Sequence, residues 1–196
     1  MAKTHTKFSA GAVILPLTIL FVLVFFGSCA SAKSRDKQLF VYLTDTARYN
    51  LLPAGDIEKP MDMAQYISVS FQNQNLIFSS WVKADETGIE MNLLSELGTN
   101  MGEIAYRDGA IFFSSPVLPA ALKPEFIIAD FQLCFYNPLL LSRALENCGL
   151  VLETGGAFRR ILKGKTLIYE IEKNSGEVKL TNHLRGYSYI LQGDFS

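Results

Sequence analysis

Residues 66–115 read YISVSFQNQNLIFSSWVKADETGIEMNLLSELGTNMGEIAYRDGAIFFSS, and this stretch decides the fold. Ile67, Val69 and Phe71 alternate with Tyr66, Ser68, Ser70 and Gln72, the period of two of a strand that buries one face. Asn73 to Asn75 is expected to turn the chain. Leu76 to Lys83, which carries Trp81, reads as the next strand. Asp85-Glu86-Thr87-Gly88 supplies turn chemistry before Ile89, Met91 and Leu93 resume the alternation. Leu97-Gly98 turns again, and Met101 to Tyr106 runs back. Asp108-Gly109 suits a hairpin turn that needs positive φ, and Ala110 to Ser114 closes the series with Ile111 and Phe113 on one side. The expectation is a meander of four or five short antiparallel strands with one apolar face to cover.

Working outward, Pro116, Pro119 and Pro124 exclude a continuous strand or helix after the meander. From Glu125 to Tyr136 the period changes: Ile128, Phe131 and Phe135, with Ile127 and Cys134 beside them, fall at helical spacing on one face. Pro124 and Glu125 are helix-start signals. Asn137-Pro138 gives an N-cap and a first-turn proline for a second helix through Leu141, Ala144 and Leu145 to Cys148, with Gly149 as its stop. Both helices are short and apolar, the pattern of a lid. Leu150–Glu153, Phe158–Leu162, Lys165–Glu172, Gly176–His183 and Tyr187–Gly193 read as further strands, joined at Gly155-Gly156, Lys163-Gly164 and Asn174-Ser175-Gly176. Before the meander, Gln38 to Thr44 reads as a first strand and Arg48 to Pro60 as loop.

The predicted fold class is α+β, mainly β: a strongly curved antiparallel sheet of roughly nine or ten strands, near the size at which sheets curl. The predicted inner face holds Ile67, Val69, Phe71, Ile89, Met91, Leu93, Ile111, Phe113, Leu167 and Tyr169, under helices that bring Ile128, Phe131 and Phe135. Such an interior either packs solid or leaves a slot. A slot would suit acyl chains, whose burial is worth ~0.8 kcal/mol per CH₂. The candidate ligand-binding residues are Val69, Phe71, Met91, Leu93, Ile111, Phe113, Ile128, Phe131, Phe135 and Tyr169.

At the N-terminus, Lys3 and Lys7 precede a seventeen-residue uncharged run from Ala10 to Phe26, interrupted only by Pro16 and Thr18. This is the layout of a signal peptide, and an uncleaved single-span anchor is the alternative. Phe26-Gly27-Ser28-Cys29 resembles a bacterial lipobox, with Phe26 where leucine is usual. That resemblance implies cleavage before Cys29 and a covalent lipid on its thiol. Residues 1–28 are then a lipoprotein signal peptide, 29–37 the acylated cysteine and a small, polar tether, and 38–196 the folded domain. Ala30 and Ser31 follow the cysteine, with no aspartate at the second position. Similarity to diderm lipoproteins therefore implies sorting to the outer membrane, on its periplasmic face. Two or three acyl chains on Cys29 would make that attachment stable.

Removal of residues 1–28 leaves 16 basic side chains against 19 acidic ones. That balance gives no attraction to nucleic acid or, strongly, to anionic lipid. His183 is the only histidine after Cys29, and no Gly-x-Ser-x-Gly elbow accompanies it. The reading is therefore of a protein that is not an enzyme, and a hydrolase would have to rest on His183 alone. Cys134 and Cys148 lie fourteen residues apart without a CxxC partner, so no metal and no cofactor other than the lipid on Cys29 is expected. In an oxidising periplasm the two cysteines could pair, closing a loop worth ~3 kcal/mol. Two straight helices, however, would hold them ~15 Å apart, beyond disulfide reach, so free thiols and a movable lid are predicted. Asp85-Glu86, Asp130 and Glu170–Glu172 read as turn, helix-surface and strand-surface carboxylates. Arg159-Arg160, Lys163 and Lys165 form a basic hairpin, either a solvated edge or a dock for headgroups or a partner.

Leu94-Ser95-Glu96-Leu97-Gly98, then Met101-Gly102-Glu103-Ile104-Ala105-Tyr106, the proline-rich crossover and Pro138-Leu139 together resemble the LolA/LolB group of periplasmic lipoprotein carriers and receptors. They are closer still to a family of uncharacterised LolB-like bacterial lipoproteins. Glu96 stands where the related turn has proline, and Ala144 and Leu145 stand near the place of a LolB-like tryptophan. The resemblance covers most of residues 38–193 and implies an unclosed β-barrel with a two-helix lid and an apolar interior. It implies a monomeric, outer-membrane-anchored lipoprotein that binds or receives a hydrophobic lipid or acylated ligand between sheet and lid, in transport or assembly of an envelope lipid. A LolA-like periplasmic carrier is the implied partner. The closer family also looks similar to components encoded beside polyene-lipid assembly and export systems, which extends the ligand class to lipids other than lipoproteins. The alternative is a scaffold lipoprotein with a solid core that docks an envelope partner.

Overall fold

The computed structural model describes residues 38–71, 74–118 and 123–195. The expected signal segment, Cys29 and the expected tether lie outside the described residues. In chain order come β1 (Phe40–Tyr42), β2 (Arg48–Asn50), a 3-10 turn (Ala54–Asp56), β3 (Met61–Phe71), β4 (Gln74–Asp85), β5 (Gly88–Leu94), β6 (Asn100–Arg107) and β7 (Ala110–Ser114). Then follow helices α1 (Pro124–Phe135) and α2 (Pro138–Glu146), and strands β8 (Val151–Thr154), β9 (Phe158–Lys163), β10 (Thr166–Asn174), β11 (Glu177–Asn182) and β12 (Tyr187–Gly193). The protein is mainly β, with one ten-stranded antiparallel sheet, two helices and a separate β1–β2 pair.

The meander is present, but its first two strands are long rather than short. β3 runs for 11 residues and β4 for 12, paired from Met61↔Ala84 to Phe71↔Gln74. Gln74 and Asn75, expected in the turn, are therefore strand residues. Residues 48–60, expected as loop, contain β2 and the 3-10 turn.

Strand order is β7-β6-β5-β4-β3-β12-β11-β10-β9-β8. Two meanders thus meet where β3 pairs with β12, and the chain passes between the two edge strands, β7 and β8, by way of the helices. Register aligns side chains of one face in rows. One row runs Leu152, Ile161, Tyr169, Asn182, Tyr187, Phe71. The next runs Ile171, Leu180, Tyr189, Val69, Leu76. A third, in the first meander, runs Met63, Val82, Met91, Ile104, Phe113. A bulge in β10 between Leu167 and Tyr169 shifts the alternation, so Ile168 and Tyr169 are both buried.

Gly102 has a structural reason. Opposite the bulge at Leu93/Leu94 its φ is +151°, and a Cβ there would lie 2.8 Å from the Ser114 carbonyl oxygen and 2.9 Å from Ser115 Cβ. Only glycine lets the end of β7 approach β6 so closely.

The helices begin and end as the sequence signals require. Pro124 opens α1, and the Asn137 side chain caps α2 by accepting from the backbone N–H groups of Leu139 (3.0 Å) and Leu140 (3.4 Å). α1 is not an outer lid, however. Every residue from Ile128 to Tyr136 is buried. Segment 38–58 lies against it: Tyr49 O–H and Leu52 N–H both donate to Gln132 Oε1 at 3.0 Å, Gln132 Nε2 donates to the Leu52 carbonyl at 2.8 Å, and Glu58 N–H donates to the Phe135 carbonyl. The physical reason is composition. Ala129 and Leu133 add apolar surface opposite the Ile128–Phe131–Phe135 stripe, and a helix apolar on all sides is buried on all sides. α2 is the one-sided helix, with Leu141 and Leu145 buried and Leu139 exposed.

Candidate functional site

The predicted binding residues gather in the interior, with one exception. Met91, Leu93, Ile128, Phe131, Phe135 and Tyr169 belong to the buried core, and Val69, Ile111 and Phe113 pack half-buried against it. Phe71 does not: it is 45% exposed. It is the last residue of β3, where its row runs out toward the β3–β4 connection.

That end of the sheet is apolar at its surface. Antiparallel pairing sets the β3–β4, β5–β6 and β11–β12 connections at the same end. Phe71 and Leu76 are exposed there on the inner-face rows, joined by Leu184 in the β11–β12 turn and by Leu97, 94% exposed in the β5–β6 connection. At the opposite end an open cavity of about 430 Å³ is lined by Asn174, Ser175, Gly176, Gly193, Asp194 and Phe195. None of the predicted binding residues lines it.

Beneath α1 the interior turns polar. Asp130, placed on a helix surface by the sequence reading, is buried and faces the Tyr169–Asn182–Tyr187 row. Tyr187 O–H donates to Asp130 Oδ2 at 2.6 Å. Burial pushes the Asp130 carboxyl up to about 7, against the stabilising Tyr187 hydrogen bond, the nearby Arg185 charge and Tyr169. Burial also raises the phenols of Tyr169, Tyr187 and Tyr189, and pushes the Cys134 thiol up to about 12. Asp130 Oδ1, the Tyr169 hydroxyl and Asn182 Nδ2 are buried without a hydrogen-bond partner among the described residues. The Asn182 oxygen is engaged, accepting from Arg185 N–H at 2.8 Å. The signal that could have placed Asp130 inside was its position between Ala129 and Phe131 in a helix apolar on every side.

The other singled-out residues have ordinary partners. His183 is exposed in the β11–β12 turn, with Nε2 3.8 Å from Glu170. Arg159 is not a solvated edge residue. It is buried, donating to the Leu133 carbonyl at 3.1 Å and to Glu58 at 2.7 Å. Arg160 pairs with Glu170, and Lys163 with Asp45 and Thr46. Cys134 and Cys148 are unpaired, as expected. Among the described residues no three His, Cys, Asp or Glu side chains converge in a metal-like group, and no helix is long and apolar enough to cross a membrane.

Sheet and site define a class: an antiparallel β protein whose two meanders join at a central seam and whose core helix faces a buried carboxyl toward tyrosines. The chain belongs to the family described as Protein of unknown function (DUF3261), whose model matches residues 62–192. The match runs from the second residue of β3 into β12, spanning the sheet and both helices, and stops short of the wrapping segment 38–58. No curated protein matches the chain.

Proposed function

We propose that this protein is a lipid-anchored periplasmic member of the LolA/LolB type. It binds or receives a hydrophobic acylated ligand on the inner face of its sheet, without catalysis, in transport or assembly of an envelope lipid. The observation that carries the reading is the continuity of the apolar inner face. From the buried core at Leu180 and Ile67 it passes half-buried Tyr189, Val69 and Phe78 and ends exposed at Phe71 and Leu76. A single-domain protein that needed only a dry core would gain nothing from carrying that face into water.

Connections across the sheet support the curled, unclosed barrel. β6 and β9 stand seven steps apart in strand order, which in a flat sheet is ~34 Å at ~4.8 Å per step. Yet Tyr106 of β6 donates to the Leu52 carbonyl that Gln132 of α1 also holds, while Arg159 of β9 donates to the carbonyl of Leu133, the next residue of α1. Side chains standing off a flat sheet would not meet over that span, whereas strands wrapped about α1 do. Attachment through Cys29, outer-membrane placement and a LolA-like carrier as partner complete the proposal and rest on the N-terminal pattern and the family resemblance.

The test is native mass spectrometry of the full chain extracted from membranes, with palmitate labelling of Cys29 and its Cys29→Ala variant as control. A co-purifying lipid beyond the covalent one, displaced by an apolar fluorophore, is the expected result. Repeated absence of both adduct and fluorophore binding would overturn the reading. The tight packing of Met91, Leu93, Ile104 and Ile128 favours the second reading, a solid-core scaffold. On that reading Phe113→Asp simply unfolds the domain; on the first, the variant folds and loses lipid.

A further inference from the structure

We propose that the polar cluster beneath α1 is a seat for one uncharged hydroxyl group carried by the apolar ligand, held between Asp130 Oδ1 and the Asn182 side-chain amide. The inference rests on the lipid-binding reading and names the chemistry that reading leaves open. Three buried polar atoms carry it: Asp130 Oδ1, Tyr169 OH and Asn182 Nδ2 have no partner among the described residues. Buried polar groups in folded proteins are paired in the great majority, so three orphans in one cluster mark a place where something else pairs them.

Their valences select the partner. In the ionised carboxyl Oδ1 accepts, the Asn182 amide nitrogen donates, and the Tyr169 hydroxyl does either. A hydroxyl donates to the first while accepting from the second. A phosphate or carboxylate would bring negative charge beside Asp130, and an ammonium would turn its protons toward the Asn182 amide. A bare alkyl chain would leave all three atoms unpaired.

The position suits a lipid rather than a free polar solute. Tyr169, Asn182, Tyr187 and Phe71 occupy one cross-strand row, so the exposed Phe71 ring lies two strands, ~10 Å, from Asn182. The adjoining row, Ile171, Leu180, Tyr189, Val69 and Leu76, is hydrocarbon apart from the Tyr189 hydroxyl, which lies 4.0 Å from Cys134 Sγ. A chain whose hydroxyl sits at Asp130 thus has an apolar track leading out to the exposed end. Tyr187, by donating to Asp130 Oδ2, fixes the orientation of the carboxyl.

The experiment uses the full chain at pH 8.5, carboxyl-labelled at aspartate, with three soluble six-carbon compounds: 1-hexanol, dipropyl ether and hexyl phosphate. The Asp130 carboxyl resonance is assigned by its loss in Asp130→Asn. Hexanol should shift it saturably and bind at least tenfold more tightly than the ether, with hexyl phosphate weaker than either. In Asn182→Leu the preference for alcohol over ether should fall to within threefold, while an apolar fluorophore still binds. Equal binding of alcohol and ether, with the fluorophore bound, overturns the hydroxyl seat and leaves the lipid-binding reading standing. An Asp130 resonance that hexanol does not move, together with a long-lived bound water at the cluster, assigns the three atoms to water and also overturns it. Failure of the fluorophore and all three compounds to bind removes both readings.

Discussion

Asp130 and Gly102 show at single residues what the interior demands. The Asp130 carboxyl titrates at about 7 in the folded chain, against 3.8 when unburied. Because the folded-state value is the higher one, the folded state holds the proton more tightly. Its contribution to stability is full below the unfolded value, is lost as pH rises through the folded one, and is flat above it. Urea unfolding should therefore show stability falling between pH 5 and pH 8, by about 2–3 kcal/mol. Asp130→Asn, whose amide oxygen still accepts from Tyr187, should remove that slope and exceed the wild type in stability at pH 8. Gly102 sits where a Cβ meets backbone at 2.8 Å and φ is positive, so Gly102→Ala should cost about 1–3 kcal/mol. Gly156, with nothing near its Cβ position, should tolerate alanine within about 0.5 kcal/mol. Gly102 was visible as a letter in a motif. Its reason was not, because the Ser114 carbonyl that forbids a side chain belongs to another strand.

Among the elements, α1 was legible in extent and misread in surroundings. Pro124, Asn137 and Gly149 mark the helix ends locally, since caps are satisfied within one turn. What lies against the far side of α1 is segment 38–58, some eighty residues earlier in the chain, and no periodicity within α1 names it. Gln132 fastens the two. It pairs with both backbone groups of Leu52 and with the Tyr49 hydroxyl, so Gln132→Leu leaves the Leu52 N–H and the Tyr49 hydroxyl bare, the Leu52 carbonyl keeping Tyr106, and should cost about 2–4 kcal/mol. The same variant should loosen α1 from its wrapping. Cys134, fully buried in the wild type, should react with a thiol reagent slowly there and at least tenfold faster in Gln132→Leu, while Cys148, only half-buried, should change little. Equal Cys134 rates would mean that α1 moves freely despite the clasp, as a lid does.

The whole molecule differs from its sequence pattern chiefly in how distant parts join. Each meander could be read strand by strand, because hairpin neighbours are set by short turns and alternation. The β3–β12 seam could not, since its partners lie more than a hundred residues apart and nothing local specifies them. β12 comes last in chain order among the described strands, yet it occupies an inner position, hydrogen-bonded to β3 on one side and β11 on the other. A chain shortened to residue 186 would leave two bare strand edges in the middle of the sheet, and should be unfolded by circular dichroism and rapidly proteolysed rather than merely destabilised. This has a kinetic side. While β12 is still being made or threaded, neither meander can complete the sheet, and the loop that must close to form the seam is nearly the length of the domain. Folding of this protein is thus timed by the arrival of β12, and until then two unsatisfied edges await pairing. A chain of this design needs protection from its neighbours during the interval, and it should refold slowly, in about milliseconds to seconds, by stopped-flow Trp81 fluorescence.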